Sequence, residues 1–268
     1  MRRLIVAVSL LLTGLSGTAM AAIIVTSTQT HLATHQKLPV MAYIEADRLK
    51  LTMPGMMLIY RAGQDRIWAA DLRQQVYYEL TAETMRQFSG ISAQLSAAQA
   101  QLHDTISQLP PDQRQAIETL LGGFGAAPPQ SAVPATPVFA KLGASKTVAG
   151  ISCDLYRKTV RGVQQAEFCI SPATSAGFAP SDFSVLDRFS EFAGPLLASN
   201  IVPHLDDMNW AQMNRAIGFS GIPLDVVVYD HGKPDIEQTV TKIERAPVRE
   251  STFDLPPGLT KQDFPAAH

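Results

Sequence analysis

Between residues 23 and 80 apolar and polar positions alternate with a period of two, and turn residues interrupt the alternation at intervals of roughly eight to twelve. Ile23-Ile24-Val25-Thr26-Ser27-Thr28 opens the region with β-branched residues, and Met41 to Leu51 offers two short segments about Asp47. Met56-Met57-Leu58-Ile59-Tyr60-Arg61 follows, then a turn signal at Ala62-Gly63-Gln64-Asp65. Arg66-Ile67-Trp68-Ala69-Ala70-Asp71 and Gln75-Val76-Tyr77-Tyr78-Glu79-Leu80 continue the series. Such residues suit a pleated, half-covered surface, so this stretch predicts an antiparallel meander.

The period then changes. Met85, Phe88, Ile91, Leu95, Leu102, Ile106 and Leu109 recur at helical spacing, with Ala98 in the gap, and predict an amphipathic helix from about 82 to 109. Pro110-Pro111 ends it and suits the start of a second helix with Ile117, Leu120 and Leu121 on one face. Gly122-Gly123 stops that helix, so the helical insertion covers about 82–121. Residues 122–137 are rich in Ala, Pro and Gly and read as a linker.

Strand texture resumes at Val138 to Val148 and continues through Ile151 to Ile170. Phe183, Leu186, Phe189, Phe192, Leu196 and Leu197 mark another helical stretch, and a third spans about Pro203 to Ala216. Pro223 to Tyr229, a turn at Asp230-His231-Gly232-Lys233 and Ile236 to Glu244 return to strands, and Phe253-Asp254-Leu255-Pro256-Pro257-Gly258 closes the domain. Strands with helices inserted between them predict an α+β fold, a curved antiparallel sheet forming an open half-barrel. The apolar faces of the helices belong on its concave side.

The first residues add an address. Met1-Arg2-Arg3 is a short basic region, Leu4 to Leu12 is apolar except for Ser9, and Ala19-Met20-Ala21 forms an A-x-A site before Ala22. This order is that of a secretory signal peptide over residues 1–21. A membrane span needs roughly 20 apolar residues, and this run stops at Thr13-Gly14. No cysteine lies at the cleavage point, which disfavours a lipid-anchored product. The expected mature chain, 22–268, is a single periplasmic or secreted domain without a transmembrane segment.

Loss of Arg2 and Arg3 takes the formal charge from −2 to −4. A mildly acidic chain with no basic block lacks the electrostatic footprint of a nucleic-acid binder. Charged residues make up 17% of the chain, against roughly 25% in ordinary soluble proteins. That favours an apolar groove or partner surface, although an alanine-rich exported protein has the same composition.

Cys153 and Cys169 are the two cysteines, and an oxidising compartment makes a disulfide their expected state. Both sit in alternating segments flanking Arg161-Gly162, and a hairpin centred on Arg161 places them opposite one another. A thiol nucleophile or half a metal site is the rival reading. The absence of C-x-x-C spacing and of nearby histidine counts against it.

Val148-Ala149-Gly150-Ile151-Ser152-Cys153-Asp154-Leu155-Tyr156, Cys169, Gly221-Ile222-Pro223-Leu224 and the terminal Phe253 to Gly258 form a set. With the early Ile67-Trp68 and Tyr77-Tyr78 strands, this set resembles an uncharacterised exported bacterial domain family related to the LolA/LolB-like lipoprotein-carrier fold. The resemblance spans most of the mature chain and rests on structural positions. It implies an open half-barrel whose concave face holds acyl chains under a helical lid, and it carries over no functional residue. The long first helix and the linker are additions to that compact pattern.

Catalytic motifs are absent. Gly218-Phe219-Ser220-Gly221 lacks the further glycine of a nucleophile elbow, since Ile222 stands there. His31 and His35, four apart, could share a helix face as metal ligands, but no carboxylate or cysteine completes the set. Met53, Met56 and Met57 suit an apolar lining better than soft-metal binding. Asp182, and Asp206-Asp207 beside His204, are explained as acidic residues at helix starts. The sequence therefore implies no enzyme, metal or cofactor. It predicts a protein that binds a hydrophobic ligand, a lipid or an apolar segment of an envelope protein, in the concavity of the sheet. Met56, Leu58, Trp68, Phe88, Leu95, Phe189 and Phe192 are the candidate lining residues. A structural envelope protein without a small ligand is the alternative, and a filled core would produce the same pattern.

Overall fold

The structure, a computed structural model, describes residues 20–87, 136–197, 209–230 and 232–263, with isolated positions between 89 and 110. Twelve strands form one open sheet in the order β12-β6-β5-β4-β3-β2-β1-β11-β10-β9-β8-β7. The predicted meander is β1 (Met20–His31), β2 (Lys37–Ile44), β3 (Arg48–Met53), β4 (Met56–Arg61), β5 (Arg66–Asp71) and β6 (Val76–Thr81). The second half comprises β7 (Val138–Val148), β8 (Ile151–Val160), β9 (Val163–Pro172), β10 (Gly221–Asp230) and β11 (Lys233–Val248). β12 (Thr260–Gln262) runs parallel to β6, and the other pairings are antiparallel. The α+β architecture is therefore the expected one, a curved antiparallel sheet with helices.

Helix α1 begins at residue 82, as the change of period predicts, and buries Met85 in the main core. Most of its predicted length, the second helix at about 111–121 and nearly all of the linker lie outside the described residues. So do residues 1–19 and the region 198–208, which includes His204, Asp206 and Asp207. Helices α2 (Ser184–Phe192) and α3 (Gly194–Leu197) occupy the predicted second helical stretch, and α4 (Trp210–Ile217) the end of the third. β1 extends two residues upstream of Ala22, pairing Met20 with Val248 and Ala21 with Pro247. Cleavage at the expected site would leave the Ala22–Ala246 pair as the first rung.

A tight turn shapes the second half. Arg161 (φ 52°) and Gly162 (φ 76°) link β8 to β9 with both central residues left-handed, the geometry whose twist matches paired strands. Cys153 and Cys169 form a disulfide with Cα atoms 5.3 Å apart, but they are not directly opposed. Cys169 pairs with Leu155, and the register shifts between Lys158 and Thr159, where Gln165 is an extra residue on β9. The two-residue turn already centres the hairpin between Arg161 and Gly162, and the bulge shifts the pairing a further half step, so the bridge crosses the strands diagonally.

The two faces of the sheet hold separate cores. On the convex side Phe253, fully buried, packs with Met57, Ile59 and Ala70. Lys50 Nζ donates to the Thr252 carbonyl at 2.7 Å and Arg61 Nη2 to the Phe253 carbonyl at 3.2 Å, which fastens the closing segment to the sheet. Burial lowers the Lys50 pKa, with Asp254 acting in the opposite direction.

Candidate functional site: an apolar groove on the concave face

Strand register decides which side chains reach the concavity. Ile23, Val25, Ser27 and Gln29 of β1 stand beside Ile44, Ala42, Val40 and Leu38 of β2. Ile44 and Ala42 stand in turn beside Leu49 and Leu51 of β3, and those beside Tyr60 and Leu58 of β4. Helix α2 crosses this surface and lays Leu186 and Phe189 on it, because positions three apart share a helix face.

The helix fills one half of the concavity. Phe189 meets the Tyr60 ring edge-on at 5.5 Å between centroids, and Phe192 stacks on it at 5.7 Å. Tyr60 is 1% exposed. Burial is the main reason its hydroxyl pKa is pushed up to about 12, with Asp65 adding to it. Leu58 is half-buried against this cluster.

The described residues leave the other half open. A groove of about 340 Å³ runs over β1–β3 and β10–β11, within the range of small-molecule sites. Val25, Ala42, Leu51, Val226 and Val228 supply its floor, and Phe183, Leu186 and Trp210 its flanks. Its polar lining residues are Ser27, Gln29 and Gln238. None of the described residues lining it is Asp, Glu, Lys, Arg or His. Gln238 Nε2 donates to Ser27 Oγ at 3.3 Å, and Ser27 Oγ to the Val40 carbonyl at 3.5 Å. On the opposite side of β10 the buried Asp225 accepts from Thr239 Oγ1 at 2.6 Å and pairs with Lys146, while on the groove's own face the fully buried Lys158 of β8 stands beside Ala166, the cross-strand neighbour of Val228.

The structure brings Leu58, Phe189 and Phe192 together, but in the filled half. Met56 shares the concave register, opposite Met53, yet is 56% exposed at the strand end. Trp68 lies on the convex face across from Ile59, with the guanidinium groups of Arg61 and Arg66 over its ring at 5.5 and 5.7 Å. Phe88 and Leu95 lie outside the described residues. Among the described residues, those that line the groove do not include Met56, Leu58, Trp68, Phe189 or Phe192. One available signal was the parity of β1 to β3, which aligns Val25, Ala42 and Leu51 once hairpin register is assigned; Trp210 had none, because α4 reaches the groove only through the fold.

The chemical candidates resolve into structure. His31 ends β1 and His35 (φ 57°) lies in the turn that follows, bonded through the backbone, so they share no helix face. Gly218 (φ 83°) caps α4, and its N–H donates to the Asn214 carbonyl at 3.0 Å. Gly221 is required by packing, since a Cβ there would stand 2.4 Å from Ile170 Cγ2. The Asp182 carboxylate accepts from the Ala179 N–H at 2.9 Å and pairs with Arg245 at 2.6 Å. A polar hollow between α2 and α4 holds Asp187, Glu191 and Arg215, where Asn214 Nδ2 donates to Asp187 at 3.2 Å. Among the described residues no three His, Cys, Asp or Glu side chains are grouped to hold a metal. No described helix is long and apolar enough to cross a membrane.

No protein-family model matches the chain, and no curated protein matches it in sequence. Among solved structures it is similar to a chain of the MucA/MucB complex of Pseudomonas aeruginosa, at 9% identity and TM-score 0.39, over 90% of this chain and 58% of that one. It is similar to MucB in complex with MucA(peri), at 10% identity and TM-score 0.37, over 90% and 56%. A third likeness is to PNGF-II, at 7% identity and TM-score 0.38, over 91% and 31%. The chain thus spans less than two thirds of each of these proteins. Likeness at this level transfers no function.

Proposed function

We propose that this chain is an exported, non-enzymatic binding protein that holds a hydrophobic ligand in the concave groove. The observation that carries the reading is the groove itself, an apolar trough of about 340 Å³ beside a surface that α2 has already covered. The described residues fill one half and leave this one unfilled, whereas a sheet serving only as a core packs to crystal-like density. The Cys153–Cys169 bridge supports maturation in an oxidising compartment such as the periplasm. The signal peptide over residues 1–21 and relationship to the LolA/LolB-like carriers belong to the same proposal.

The test uses the chain's two tryptophans. In a Trp68→Phe variant the remaining indole, Trp210, lines the groove. A neutral apolar dye should quench or shift Trp210 emission with saturation, and protein taken from the periplasm should carry lipid enriched over a mock purification. No saturable change together with no enriched lipid refutes the reading. A reproducible protein cross-link in cells under those conditions would establish the structural-partner alternative instead.

A further inference from the structure

We infer that the groove selects an uncharged single-chain amphiphile over an ionised one, and that Gln29 and Gln238 at its mouth receive the head group. This inference rests on the binding reading above and names the chemistry of the ligand. At one end Ile44, Leu49 and Phe183 are buried under α2. Toward the opposite end the lining becomes half-buried, ending in Gln29, Gln238 and Ile236. An apolar chain therefore enters with its tail toward the helix, and its head stops among the carboxamides.

Gln29 and Gln238 are cross-strand partners in the β1–β11 ladder, so their side chains stand on one face. One N–H of Gln238 is used on Ser27, leaving its carbonyl oxygen and second N–H. The Gln29 carboxamide makes no hydrogen bond with the described residues. Together they offer donors and acceptors without charge, which match hydroxyl, ester or amide groups. A carboxylate or ammonium drawn to the same depth would lose water and find no counter-ion among the described lining residues, a strong penalty for a charged group; the buried cation on this face, Lys158, stands on β8, three strands away from Gln238 on β11. The modest volume, about 340 Å³, suits one chain better than a multi-acyl anchor.

Monolaurin and lauric acid share one acyl chain and differ in the head. At about pH 8, where a carboxylic acid with a pKa near 4 is ionised, calorimetry on the full chain should show lauric acid binding roughly tenfold or more weaker than monolaurin. Gln238→Lys should raise lauric acid affinity and lower that of monolaurin. Gln29→Lys is the parallel variant if the first does not fold. Equal wild-type affinities, or lysine variants that leave the ratio unchanged, overturn the inference while leaving the groove a binding site. Failure of both probes and of the neutral dye overturns the binding reading itself.

Discussion

Replacing Ala42 with phenylalanine distinguishes an open groove from a core by the sign of a stability change. Ala42 is half-buried on β2, with Val25 and Leu51 as its cross-strand neighbours, and all three line the groove. Fully burying a phenylalanine is worth about 1.5–3 kcal/mol relative to leaving it exposed. A ring laid in a half-open trough should recover a good part of that, about 1–2 kcal/mol. For a domain of this size each kcal/mol moves Tm by about 2–4 °C. If the concavity were already packed, the same ring would overpack it and cost about 1–3 kcal/mol. The measurement is urea unfolding of delipidated protein, with Ala42→Val as the control for strand propensity. The open groove requires a higher midpoint together with lost dye binding. A midpoint lowered by about 1 kcal/mol or more, with dye binding retained, would refute the reasoning.

Reducing the Cys153–Cys169 bridge, or replacing both cysteines by serine, should cost about 3 kcal/mol, since the bridge closes a loop with a sequence separation of 16; two free thiols in periplasmic protein would contradict the bridge itself. The Tyr60 pKa is pushed up to about 12, so its neutral form stabilises the fold below its ordinary pKa of about 10, and that stability is lost as pH rises from about 10 to 12. Tyr60→Phe should remove this alkaline step, seen by circular dichroism across the same interval. Gly221→Val should destabilise by about 2 kcal/mol or more, because a Cβ there would stand 2.4 Å from Ile170 and 2.9 Å from Ile217; an unchanged melting curve would show that β9 gives way freely. Intact mass of the exported protein should begin at Ala22, and retention of residues 1–21 would contradict the signal reading.

The meander from β1 to β6 was legible because each hairpin is local, and its alternation and turn residues are read over a few positions at a time. The concavity was less legible. Period two says that Ile67 and Trp68 point to opposite faces, but both are apolar, and the side facing α2 is settled only by contacts with Tyr60 and Leu80. Trp68 instead faces the segment around Phe253, some 185 residues later, a proximity that no local pattern encodes. Phe189 and Phe192 were identified as concave side chains by helical spacing, yet their rings close the surface over Tyr60. The cysteine pair was legible as a pair. Its register was not, because the bulge at Gln165 carries no sequence signature of its own.

β1 and β11 form the longest ladder in the sheet and lie side by side at its middle, pairing Ala22 with Ala246 and His31 with Ile236. More than 200 residues separate every partner in that ladder. Synthesis runs from β1 toward β11, so the first strand is complete long before the one that covers its edge. The meander β1 to β6 can pair locally in that interval, but the edge of β1 and the apolar concavity beside it stay uncovered. Loop-closure entropy over such a span slows the final docking. The fold therefore passes through a stage with an exposed strand edge and apolar face, the kind of surface on which holding chaperones act and from which aggregation starts.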